Sequence, residues 1–67
     1  MLLKTLFKEN DIGQYRAEIH QETGRDYYVE YYGPSGNIKK VPYKNSSILF
    51  VEDMALNWLN SIQVLNG

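Results

Sequence analysis

The stretch Gln21-Glu22-Thr23-Gly24-Arg25-Asp26-Tyr27-Tyr28-Val29-Glu30-Tyr31-Tyr32-Gly33-Pro34-Ser35-Gly36-Asn37 places one strand between two glycine-centred turns, and its reading decides the fold. In Gln21-Glu22-Thr23-Gly24-Arg25 the glycine stands where a three-residue hairpin loop, a type I turn with a G1 bulge, needs its left-handed residue. Pairing Gln21 with Arg25 sets Ile19 opposite Tyr27, Ala17 opposite Val29 and Tyr15 opposite Tyr31, because antiparallel partners keep a constant index sum. That face is apolar or aromatic throughout. The other face pairs His20 with Asp26, Glu18 with Tyr28, Arg16 with Glu30 and Gln14 with Tyr32. A two-residue loop is expected to set Ala17 against Glu30 and mix the two faces.

Gly33-Pro34-Ser35-Gly36-Asn37 supports a second hairpin of the same loop length, with proline where its dihedral is pre-set. It brings Val29 opposite Val41 and Tyr27 opposite Tyr43 inside, and Tyr32 opposite Ile38, Glu30 opposite Lys40 and Tyr28 opposite Pro42 outside. Glu30 then lies between Arg16 and Lys40. Pro42, which has no amide donor, suits an edge strand. Towards the N-terminus, Leu3, Thr5 and Phe7 alternate with Lys4, Leu6 and Lys8, giving another strand before the polar loop Glu9-Asn10-Asp11.

After Lys44-Asn45-Ser46-Ser47, rich in N-cap residue types, Val51, Met54, Ala55, Trp58, Ile62 and Leu65 recur at helical spacing. Glu52 and Asp53 complement the dipole near the start of that helix. The expected fold is α+β: a single domain over residues 1–67, built as a four-stranded antiparallel meander with one C-terminal helix packed on one face. The strands fall at residues 2–8, 14–21, 25–32 and 37–43, and the helix at 49–64. The expected core is Leu3, Phe7, Tyr15, Ala17, Ile19, Tyr27, Val29, Tyr31, Val41, Met54, Ala55, Trp58 and Ile62.

With 67 residues, no cysteine and one histidine, the chain has neither a disulfide framework nor the ligands of a structural zinc site. Small scaffolds without such staples often gain burial by oligomerising, so a homo-oligomer, a dimer first of all, is expected. Hydrophobic residues at 43% and charged residues at 22% argue for an ordered chain. A net charge of -1 gives no general attraction for nucleic acid or anionic membranes. The segment Met1-Leu2-Leu3-Lys4-Thr5-Leu6-Phe7-Lys8 has too short an apolar run for a secretory signal, and nothing approaches a membrane span, so a cytoplasmic location is expected. Asn45-Ser46-Ser47 matches the glycosylation sequon, which without a secretory signal is a chance match.

Candidates for chemistry are few. His20 beside its expected partner Asp26 reads as a cross-strand surface pair next to a turn, and Ser46 and Ser47 read as helix caps. No phosphate loop, metal-ligand spacing or nucleophile elbow is present, so the chain reads as a non-enzyme, with no catalytic, cofactor or metal residues expected.

Tyrosine usage says more. Tyr15, Tyr27, Tyr31 and Tyr43 fall on the inner face as core, whereas Tyr28 and Tyr32 fall outside beside Ile38 and Pro42 and form an apolar patch. A self-association surface, a platform for stacking bases and plain solvated packing compete for it. A non-enzymatic, self-associating interaction module leads, with Tyr28, Tyr32, Ile38 and Pro42 as its surface and the helix flank of Leu56 and Leu59 as the other candidate. The alternative is a weak single-stranded nucleic-acid binder, in which Tyr28 and Tyr32 stack on bases while Arg16 and Lys40 touch phosphates. Glu18, Glu22, Asp26 and Glu30 offset those cations.

Asp26-Tyr27-Tyr28-Val29-Glu30-Tyr31-Tyr32, the Gly33-Pro34-Ser35-Gly36 turn and Val51-Glu52-Asp53-Met54-Ala55-Leu56-Asn57-Trp58-Leu59 together resemble small uncharacterised proteins of marine tailed phages, cyanophages in particular. Those join a tyrosine-rich "YYVEYY"-like strand to a helix bearing an "AEDAAENW"-like stretch, and Met54 and Leu56 here replace smaller or polar residues. Over residues 26–62 the resemblance implies a phage accessory protein, made in the cytoplasm of a bacterial host cell and meeting a host or phage protein, with no site assigned. In topology alone, strands followed by one helix resemble the dimeric single-strand DNA-binding fold of the transcriptional coactivator class. The binding strands of that fold are basic, and those of this chain are balanced.

Overall fold

The computed structural model describes residues 1–66, with side chains through Ile62. Strands β1 (Leu2–Glu9), β2 (Gln14–Thr23), β3 (Asp26–Gly33) and β4 (Gly36–Tyr43) form one antiparallel sheet in the order β1-β2-β3-β4, followed by helix α1 (Ile48–Asn66). This is the α+β meander with a C-terminal helix read from the sequence.

The turns are tighter than expected, and bulges absorb the difference. The first hairpin closes on Thr23 and Asp26 around a two-residue loop, Gly24-Arg25, with a positive φ of 41° at Gly24. A positive φ at the first loop position is what a type II′ turn asks for. A bulge between Gln21 and Thr23 takes up Glu22, so Ile19 faces Val29 and Ala17 faces Tyr31, each partner two residues further along β3 than expected. The extra residue restores parity, which is why a two-residue loop does not mix the faces. It also places Arg16 opposite Tyr32 and Glu18 opposite Glu30, so Glu30 does not lie between Arg16 and Lys40.

The second hairpin pairs Tyr27 with Tyr43, Tyr28 with Pro42, Val29 with Val41 and Glu30 with Lys40, as expected. It closes on Gly33 and Gly36, and a bulge leaves Ile38 as the extra residue, so Tyr32 faces Asn37.

In β1 the parity is opposite to the expectation. Asn10 Oδ1 accepts hydrogen bonds from the amides of Ile12 and Gly13 at 2.9 and 3.2 Å, and the Asn10 amide donates to the Gly13 carbonyl at 3.0 Å. This four-residue turn pairs Glu9 with Gln14, hence Phe7 with Arg16 and Leu6 with Ala17. Leu6 therefore packs on the core, Phe7 lies on the open face at 59% exposure, and Leu3 sits exposed at a bulge. A Cβ at Gly13 would stand 2.7 Å from Pro34 Cγ, so a glycine there lets the β1–β2 loop meet the β3–β4 turn.

At the opposite end of the sheet the Ser46 amide donates to the Arg25 carbonyl at 2.9 Å and the Asn45 amide to Asp26 Oδ1 at 3.0 Å, fixing where α1 begins. Asn45 takes a φ of 53°, which its short polar side chain tolerates. Ser47 is the N-cap, its Oγ accepting from the Phe50 amide at 3.1 Å. The helix starts at Ile48, which moves Glu52 and Asp53 out of the first turn. Glu52 instead binds Lys4 of β1 at 3.3 Å.

The core joins Ala17, Ile19, Tyr27, Val29 and Tyr31 of the sheet to Val51, Ala55 and Leu59 of the helix. Each large apolar side chain buried there contributes about 1.5–3 kcal/mol. Tyr15 and Trp58 pack at its rim, with Trp58 edge-on to Tyr15 at 6.3 Å and tilted over Tyr31 at 4.3 Å. Ile62 is buried and Met54 half-buried. Leu59, expected on an exposed flank, is 2% exposed at the helix–sheet contact. The Leu65 side chain lies outside the described residues.

Candidate interaction surfaces

The helix covers one face of the sheet and leaves the other open. Three cross-strand rows run over the open face: Leu2, His20, Tyr28 and Pro42; Thr5, Glu18, Glu30 and Lys40; and Phe7, Arg16, Tyr32 and Asn37. Of the expected patch, Tyr28, Tyr32 and Pro42 share this face. Ile38 does not, because the bulge turns it to the helix side. A Cβ at Gly33 would stand 3.0 Å from Ile38 Cδ1 and 3.2 Å from Tyr15 Cε2. There Ile38 is 50% exposed and lines a shallow cleft of about 250 Å3 with Tyr15, Gly33 and Pro34.

Side chains of the sheet itself occupy the faces of both outer tyrosines. The His20 ring stacks on Tyr28 at 4.6 Å with 4° between planes, and Lys40 Nζ lies 4.2 Å from the same ring centre. The Arg16 guanidinium lies 3.9 Å above the Tyr32 ring. Such cation–π contacts contribute about 0.5–1 kcal/mol at exposed sites. Arg16 and Lys40 thus reach the tyrosines as expected, but as their covers.

The carboxylates complete the network. Arg16 Nε donates to Glu18 Oε2 at 2.9 Å, and His20 Nε2 lies 3.3 Å from Glu18 Oε1. Partial burial pushes the Glu18 carboxyl up, but hydrogen bonds and charge from Arg16 and His20 outweigh it and hold the group below its ordinary value. Tyr32 and Asn37 each donate to Glu30 Oε2 at 3.3 Å. Desolvation, with the charges of Glu30 and Glu18, raises the Tyr32 hydroxyl above its usual range.

His20 is oriented by Glu18 and not by Asp26, which instead accepts from Thr23 and the Asn45 amide. Among the described residues no three acidic, histidine or cysteine side chains gather as metal ligands, and no helix is long and apolar enough to cross a membrane.

Elsewhere, Leu56 of the expected helix flank is exposed as read, but the other exposed apolar residues were missed. Leu2, Leu3 and Phe7 line β1, and Leu49 and Leu56, 71% and 46% exposed, lie a heptad apart on α1. The adjacent pairs Leu2-Leu3 and Leu6-Phe7 in β1 were the available signal, since only one of two neighbours in a strand can face the core. Comparison with protein-family models, with curated proteins and with solved structures gives no match.

Proposed function

We propose that this chain is a non-enzymatic interaction module that works as a self-associated homodimer. One observation carries the reading: among the described residues nine hydrophobic side chains are buried while nine large ones stay exposed. A small domain that leaves as many large hydrophobic side chains exposed as it has hydrophobic side chains buried has burial still to gain from a partner. The outer tyrosines favour this over the nucleic-acid reading, since bases would have to displace His20, Lys40 and Arg16 before stacking.

Sedimentation equilibrium tests the proposal. The expected result is a species of twice the 7.8 kDa chain mass at micromolar concentrations, with a melting temperature that rises with protein concentration. A 7.8 kDa monomer throughout the high micromolar range removes it. Labelled oligonucleotides at low salt should show no binding that Tyr28→Ala or Tyr32→Ala weakens.

A further inference from the structure

Resting on that reading, we propose that a second copy of this chain pairs edge to edge along β1. The two strands run antiparallel about a two-fold axis through Thr5, giving one eight-stranded sheet with both helices on the same side.

The two edges of the sheet are not equivalent. β4 carries the features that block strand addition: Pro42 without an amide, exposed Lys39 and Lys40, and the bulge at Ile38. β1 has no proline, pairs regularly from Lys4 to Glu9, and exposes Leu2, Leu3 and Phe7. Its lysines guard it poorly. Both pair with core-face residues of β2, and Glu52 holds Lys4 at 3.3 Å.

Charge selects the register. A two-fold axis keeps each side chain on its own face, so directly opposed residues must share a face. With Thr5 on the axis, Lys4 meets the partner's Leu6 on the helix side and Leu3, at the bulge, comes beside the partner's Phe7, with no like charges opposed. Placing Lys4 on the axis opposes it to itself, and placing Leu6 there opposes Lys4 to the partner's Lys8. Like charges directly opposed are destabilising. Placing Phe7 there pairs residues 5–9 and leaves the exposed Leu2 and Leu3 uncovered.

The helix supplies an independent observation. Glu52 reaches β1 through Lys4, and Leu56 and Leu49 stand four residues after it and three before it, on the same flank. α1 packs over β1, β2 and β3. Three strand spacings of about 4.8 Å would then set the two helix axes about 14 Å apart. That exceeds the 8–10 Å of direct helix packing, and leucines reaching in from both sides fill the difference. One contact thus covers both exposed sets.

Thr5→Cys in this cysteine-free chain tests the arrangement, because it places the new thiol on the axis. Under mild oxidation it should form a covalent dimer, while Asn37→Cys on β4 and Phe7→Cys do not. Leu56→Glu should weaken the unoxidised dimer at least about tenfold. Hydrogen exchange of the unsubstituted protein, concentrated against dilute, should protect β1 amides selectively and needs no variant to fold. A dimer whose β1 amides exchange equally at both concentrations, or that crosslinks through position 37 or 7, overturns this arrangement and leaves self-association standing. A monomer by sedimentation removes both.

Discussion

Glu18 stands directly across from Glu30 on the open face of the sheet, two carboxylates on neighbouring strands. Opposed like charges destabilise a sheet, and here Arg16 and His20 offset Glu18 while Asn37, Tyr32 and the facing Lys40 offset Glu30. Arg16→Ala strips Glu18 of its closest cation and uncovers the Tyr32 ring, and should lower unfolding stability by about 1–2 kcal/mol. Adding Glu30→Gln should recover part of that loss. Urea denaturation of the four proteins of the cycle measures it, and strictly additive effects would mean that Glu30 does not respond to the loss of the Arg16 charge.

Acid should expose the same network. The Glu18 carboxyl sits below its ordinary value of 4.5 in the folded chain, so its contribution is complete above that value and is lost as pH falls through the folded one. The urea midpoint should therefore decline on the acid side, and Glu18→Gln should flatten the decline. An identical slope in the variant would show that other carboxylates control acid unfolding.

Tyr31 gives the opposite limb. Burial, then a hydrogen bond to Tyr43, pushes its hydroxyl well above the ordinary value of 10.0. The unfolded chain ionises first, so stability present below 10.0 is lost as pH rises beyond it. Tyr31→Phe should remove much of that alkaline loss. Unfolding midpoints at neutral and alkaline pH, compared between the two chains, check it.

Gly13 adds a steric demand to a positive φ of 158°, whereas Gly24 has the conformational demand alone. At Gly13 a methyl would collide with the rigid Pro34 ring at 2.7 Å, whereas at Gly24 it meets nothing within 4 Å and only the positive φ resists it. Gly24→Ala should cost about 1 kcal/mol, and Gly13→Ala about 1–3 kcal/mol. Pro34→Ala, which removes Cγ but keeps the Cβ at 3.0 Å, should recover part of the Gly13 loss and leave the Gly24 variant unimproved. Thermal melts of the two double variants distinguish them.

How far the fold was legible depended on which signal was local. The faces of β2 and β3 could be read because Ala17, Ile19, Tyr27, Val29 and Tyr31 alternate without interruption. The partners of β3 in β4 from Tyr27–Tyr43 to Glu30–Lys40 were legible too, but those of β2 in β3, and of Tyr32 in β4, were not, because loop length and bulge trade one residue against another and leave the alternation unchanged. The same trade moved Ile38 to the helix side and broke the expected patch, although Tyr28, Tyr32 and Pro42 stayed together. Leu59 illustrates a different limit. Val51, Ala55, Leu59 and Ile62 form the buried stripe of α1, but a helix apolar on several sides does not announce which side meets the sheet.

β1 offered two readings, and Leu6 against Phe7 decides between them in solution. Leu6 pairs with Ala17 and packs on the core, whereas Phe7 pairs with Arg16 on the open face. Leu6→Ala leaves a partial cavity beside Ala17 and should lower stability by about 2 kcal/mol, the low end for a leucine truncation because Leu6 is only partly buried. Phe7→Ala removes a larger side chain from solvent and should change monomer stability by no more than about 0.5 kcal/mol. Denaturation at protein concentrations below self-association isolates the fold from the contact with a second copy. If Phe7→Ala proves the costlier of the two there, then Phe7 faces the core and the pairing of β1 with β2 is shifted by one residue.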